Sequence, residues 1–159
     1  MIGTLLLLAG CSAYRVEQGV FHSSKGYRVT LPGEGWRVEP DGRADLTLAR
    51  VAAPGAMLAD ATCDGRAAGR PLRLLSRHLV FGLVHRTVVD ESRVELAGRA
   101  GVRTVTRGQR DGVDVEVEAV VVKDERCVYD FLYVAPVAAF PDGQPAFRAF
   151  VGSFGVREP

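Results

Sequence analysis

From Val113 to Val121 the chain alternates with a period of two. Val113, Val115, Val117, Ala119 and Val121 fall on one side, and Asp114, Glu116 and Glu118 on the other. Successive side chains of a strand point to opposite faces, so an extended backbone sorts this pattern cleanly and a helix does not. Arg110-Asp111-Gly112 precedes it, with residues that suit the left-handed backbone of a tight hairpin turn. Lys123-Asp124-Glu125 follows and leads into Cys127–Val134, where Cys127, Tyr129, Phe131 and Tyr133 share a face. Links this short make the neighbouring strands antiparallel. A fold that houses this segment therefore contains an antiparallel sheet.

The rest of the chain adds to that sheet. Tyr27, Val29 and Leu31 alternate with Arg28 and Thr30 before Pro32-Gly33 stops the strand. A short segment over Gly35–Glu39 ends at Pro40-Asp41-Gly42, and Leu46 and Leu48 mark the next strand. After Pro54-Gly55, Ala56–Cys63 reads as a more fully buried strand, and Asp64–Arg70 as a loop of small residues. Pro71 suits the first turn of a helix, which the spacing places over 71–86, with Leu72, Leu75, Leu79 and Leu83 on one face. Leu74, Val80, Phe81 and Val84 broaden its apolar surface, so that helix is expected to be covered on more than one side. Val94 and Leu96 lead through Ala97-Gly98 to a strand over 102–107. A closing helix over 142–153 carries Phe147, Phe150, Val151 and Phe154, with Asp142 as its cap. The predicted class is α+β, an antiparallel sheet of about six to seven strands flanked by helices.

The first residues say where the protein lives. Leu5–Leu8 followed by Ala9-Gly10 is too short to span a bilayer and has the form of a secretory signal. Leu8-Ala9-Gly10-Cys11 resembles the lipobox of bacterial lipoproteins, although no Lys or Arg precedes the leucines. The resemblance implies that residues 1–10 are a signal peptide and that Cys11 carries lipid and anchors the chain to a membrane. It further implies the periplasmic face of an outer membrane, from Ser12 beside Cys11. The alternative is a buried N-terminal helix with an ordinary cysteine. Residues 11–19 then read as a tether and 20–156 as one domain. With Cys11 assigned to lipid, Cys63 and Cys127 remain as an even pair in an oxidising compartment, which favours a disulfide over two free thiols.

Gly26-Tyr27-Arg28-Val29-Thr30-Leu31-Pro32 followed by Gly35-Trp36 resembles the opening of PsbP-like domains. The mid-chain helix, Leu96-Ala97-Gly98 and the aromatic helix after Tyr133-Val134-Ala135-Pro136 fit the same plan. The resemblance implies an α/β/α sandwich and a role in binding or assembly. It supplies no ligand residues.

Charge and motifs narrow the function. A net charge of +1, with 20 Lys and Arg against 19 Asp and Glu, gives no basic surplus for nucleic acid. His78 and His85 are seven residues apart, which on a continuous helix puts them on one face but does not make the i, i+4 pair of a metal-binding helix. With Cys63 they are the one constellation that could serve catalysis, against a bland reading as helix-edge histidines. Asp114, Glu116 and Glu118 could cradle a hard cation, or form a solvated face answered by Arg103 and Arg107. Arg66, Arg70, Arg73 and Arg77 with His78, Phe81 and His85 form the candidate surface for an envelope protein partner. The expectation is a non-catalytic binding module with no catalytic residue, metal or cofactor. The alternative is a small-ligand binder with a pocket between sheet and helix near Trp36, Tyr129 and Tyr133.

Overall fold

The computed structural model describes residues 14–157, so Cys11 and the leucine run lie outside the described residues. The chain opens with β1 (Tyr14–Glu17), β2 (Val20–Ser23) and β3 (Tyr27–Thr30). It continues through β4 (Trp36–Val38), β5 (Leu46–Arg50) and β6 (Ala56–Thr62). Two helices follow, α1 (Gly65–Ala68) and α2 (Leu72–Leu79). Four long strands come next: β7 (Val84–Leu96), β8 (Arg99–Arg110), β9 (Val113–Lys123) and β10 (Val128–Pro136). The domain closes with α3 (Phe140–Gly152) and β11 (Gly155–Val156). Seven strands form one antiparallel sheet in the order β4-β5-β6-β10-β9-β8-β7, and four form a small sheet in the order β1-β2-β3-β11.

The alternation on β9 has a cause on each face. Val115, Val117 and Val121 face α2 and its flanks, while Val120 and Val122 face the main core with Tyr129, Phe131 and α3. Aromatics build that core: Tyr129 and Phe154 lie 4.9 Å apart, Phe131 and Phe154 5.3 Å, and Tyr133 and Phe140 4.9 Å. Gly143 lets α3 settle onto Tyr133, whose ring a Cβ at that position would strike. On the other face, the buried hydroxyls of Ser76 and Thr104 meet at 2.9 Å and pin α2 to β8. The predicted hairpin turn forms, with left-handed backbone at Asp111-Gly112, and Ala97-Gly98 makes a second one of the same kind.

Several local expectations are corrected. The helix placed over 71–86 ends at Leu79, and residues from Val84 onward are strand. Gly82 and the β-branched run Thr87-Val88-Val89 outweigh the helical spacing of the leucines. That helix is also covered on one side only, because Leu72, Leu75 and Leu79 pack inward while Leu74 is 42% exposed. Ala56–Thr62 is not buried throughout: Met57, Ala59 and Ala61 point into the core, and Leu58 and Asp60 stay half-buried. Asp64–Arg70 is not a plain loop, since the Asp64 carboxylate caps α1 by accepting from the Ala67 N–H at 2.6 Å. Asp142 lies in the first turn of α3, whose cap is Ala139. The stretch read as a tether contains β1, which pairs with β2 across a left-handed Gln18-Gly19 turn.

Candidate functional site

The residues singled out for a partner surface lie along one flank but on separate elements. Arg66 is on α1, Arg70 in the link after it, Arg73, Arg77 and His78 on α2, Phe81 in the following turn, and His85 on β7; all are exposed. Arg73 is tied to Glu91 of β7 at 2.6 Å. His85 has left-handed backbone beside a β-bulge of β7, so it does not share a helix face with His78. Cys63 is bonded to Cys127, which leaves no free thiol there for a Cys–His nucleophile. Among the described residues, no group of three or more His, Cys, Asp or Glu side chains comes together as a metal site.

What the flank does hold is uncovered apolar surface. The α2 helix covers β8, β9 and the start of β10, where Val128 is buried, and leaves Leu58 of β6 and Leu132 and Val134 of β10 half-buried. A groove of about 380 Å³ runs there, lined by Leu58, Leu79, Leu83, Leu132 and Val134, with Arg110 at one end. Beside it Phe81 is 75% exposed, with the Arg86 guanidinium 5.3 Å from its ring centre. Val84, Val88 and Val113 are also about half exposed. They flank the start of β7, which is an edge strand with two register shifts, between Val84 and Thr87 and between Val88 and Asp90. Bulges and charges of this kind keep a long edge from pairing indiscriminately.

The pocket expected near Trp36, Tyr129 and Tyr133 takes another form. Tyr129 and Tyr133 are each 2% exposed or less, and Trp36 sits edge-on to Tyr133 at 6.1 Å, so these rings are core. Openings between sheet and helix lie elsewhere, among them the groove beside α2 and a cavity of about 730 Å³ between the start of α2 and β7–β8.

The carboxylates of β9 do meet Arg103 and Arg107, as the alternation suggested: Glu118 with Arg103 at 2.5 Å and Glu116 with Arg107 at 2.7 Å. The face is solvated only at its Asp114 end, where that residue is exposed, and closes towards Glu118. Glu118 is fully buried, and Gln144 and Arg148 of α3 reach its carboxylate at 2.6 and 3.4 Å. The acid holds α3 to the sheet.

A second, partly buried acid was not foreseen. Asp130 on β10 lies directly opposite Asp60 on β6, and its Oδ1 is buried without a hydrogen-bond partner. Burial first, and then the charge of Asp60, push the Asp130 carboxyl up to about 7. Asp60 is held by Lys25 at 3.2 Å, and Lys25 also contacts Asp45 at 2.7 Å and the Ala61 carbonyl. Asp130 is protonated more readily folded than unfolded, so it favours the fold most at low pH. That advantage falls as pH rises from about 4 towards 7. Asp130→Asn is expected to match the parent near pH 4 and to exceed it by about 1–3 kcal/mol near pH 8. Urea unfolding at the two pH values checks this, and equal stabilities at pH 8 would refute it.

No protein-family profile matches the chain, and no curated protein sequence does. Solved structures do match. LpqN of Mycobacterium tuberculosis is 15% identical with a TM-score of 0.65, over 84% of this chain and 86% of that one. Cyanobacterial PsbP (CyanoP) of Synechocystis sp. PCC 6803 is 13% identical with a TM-score of 0.59, over 96% and 98%. A protein of Bacteroides thetaiotaomicron VPI-5482 is 11% identical with a TM-score of 0.63, over 88% of this chain, which spans about half (48%) of that protein's length. The fold is therefore PsbP-like α+β. No helix among the described residues is long and apolar enough to cross a membrane.

Proposed function

We propose that this chain is a lipid-anchored envelope protein whose domain is a non-catalytic binding or assembly module. It docks a protein partner at the end of α2 and the start of β7. The observation that carries the reading is the apolar surface of Phe81, Val84, Val88 and Val113, exposed beside an open groove that Arg110 lines, with Arg86 over the Phe81 ring. Apolar area with an aromatic centre and arginines around it is what partner surfaces are made of. These arginines suit a partner with an apolar centre and acidic rim. The similar fold of LpqN, described as involved in cell envelope biogenesis, supports placing that partner in the envelope.

A photo-reactive amino acid at position 81 or 88 is expected to trap one discrete envelope protein. The same group at Glu34, near the opposite edge of the sheet, is expected to trap none. Equal adducts from both places, or none from either, would sink the docking surface. The second reading, a small-ligand binder, is favoured by the groove of about 380 Å³. It predicts a co-purifying small molecule in native mass spectrometry and no stoichiometric protein partner.

A further inference from the structure

β1, β2 and β3 align three basic residues in register. Arg15 lies opposite His22, and His22 opposite Arg28. Directly opposed residues of antiparallel strands project from the same face with Cβ atoms about 5 Å apart. The core takes the other face, where Phe21, Tyr27 and Val29 are buried. The row therefore lies on the outer face of the small sheet. β11 extends it: Gly155 lies opposite Arg28, whose side chain runs over the bare glycine, and Arg157 follows two residues on. Together these residues line a shallow cleft of about 240 Å³. Glu17 answers Arg15 at 3.1 Å, but both are more than half exposed and the pair is screened. Arg28 and Arg157 form no ion pair among the described residues. On a chain with a net charge of +1, this is a local concentration of positive charge.

We propose that this face, carrying Arg15, His22, Arg28 and Arg157, seats the domain on a bilayer of anionic lipids. The choice of occupant rests on the lipid attachment at Cys11 proposed above. Only Ser12 and Ala13 separate Cys11 from Tyr14, the first residue of β1. Three residues of extended chain reach at most about 11 Å. A lipid on Cys11 therefore holds the face within roughly one Debye length of the headgroups, where a basic side chain adds to membrane binding. The arginines of α1 and α2 have no such leash.

The test uses the full chain with Cys11→Ala, so that no acyl chain contributes, co-sedimented with two kinds of vesicle. One kind is phosphatidylcholine, and the other contains about one-third phosphatidylglycerol. Both vesicles offer the leucine run the same hydrocarbon, so the ratio of the two affinities reads the charge effect. A preference for the anionic vesicles is expected, and Arg28→Gln with Arg157→Gln should cut it roughly 25-fold, at about 5-fold per arginine. High salt should erase the preference, and Arg66→Gln with Arg77→Gln should leave it intact. Circular dichroism confirms that each variant is folded. Equal binding to both vesicles overturns the proposal. So does an undiminished preference in the Arg28/Arg157 variant, or saturable Arg28-dependent binding of inorganic phosphate without any vesicle preference. The anchor is read separately, from the intact mass of the wild-type protein extracted from the envelope. A lipidated Cys11 without anionic preference overturns the surface alone, whereas an unmodified Cys11 with the preference overturns the anchor and supports the surface.

Discussion

Arg103→Ala is expected to destabilise the domain by about 3–5 kcal/mol, the usual cost of removing one partner from a buried ion pair. Glu118 has no exposed side-chain surface to speak of, and Arg103 is its shortest contact at 2.5 Å. Burial alone would lower the Arg103 pKa, but its hydrogen bonds to Glu118 and then to Asp90 raise it overall, so the guanidinium stays charged. Truncating it leaves a carboxylate with no exposed surface of its own, held only by Gln144 and the more distant Arg148. The double replacement Arg103→Met with Glu118→Met removes both charges and keeps most of the volume, and should lie far closer to the parent. Urea unfolding of the two variants decides the matter. If the single and double variants lose the same stability, the loss comes from packing and not from the stranded charge.

Breaking Cys63–Cys127 should cost about 4 kcal/mol in the chain-entropy account, because the bond closes a loop across 64 positions. For a domain of this size that is a fall in Tm of roughly 10 °C or more. Cys63 and Cys127 continue the register in which Thr62 faces Val128, so the bond joins strand ends that already lie together. Asp124 organises the neighbouring turn. Burial would raise its carboxyl, but the Cys127 and Arg126 N–H groups, then Arg99 and Tyr129, outweigh that and hold it at about 2. A native fold at this corner should therefore survive in Cys63→Ala with Cys127→Ala, at lower stability. Calorimetry of that variant, and of the parent with and without reductant, checks the figure. A Tm within about 2 °C of the parent would show that the bond adds little.

The antiparallel sheet was legible because β9 and β10 carry period-two patterns and the turns carry Asp111-Gly112 and Ala97-Gly98. The segment from Val80 to Val89 was not, because Leu-Val-Phe-Gly-Leu-Val satisfies helical spacing and an apolar strand equally well. Only edge position and bulges explain why its valines are exposed. Glu118 looked like a surface residue because alternation reports one face against the other, and β9 turned out to be covered on both. Of the candidate site, Phe81 and the arginines of α2 could be named from sequence, whereas the groove could not, since Leu58 and Leu132 meet Leu79 only through strand order. The basic row was missed for a similar reason. Arg15, His22 and Arg28 are joined by register, and its one local signal, the Gln18-Gly19 turn between two short alternating segments, was passed over.

The disulfide has a consequence for how the protein meets proteases. It joins the half of the chain ending at β6 to the half beginning at β10, so α1, α2, β7, β8 and β9 all lie within the closed loop. A peptide bond cut anywhere between Cys63 and Cys127, including at the exposed turn around Phe81 and Gly82, leaves two pieces still covalently joined. Nicking in an oxidising compartment therefore releases no fragment, and the half that begins at β1 keeps its partner.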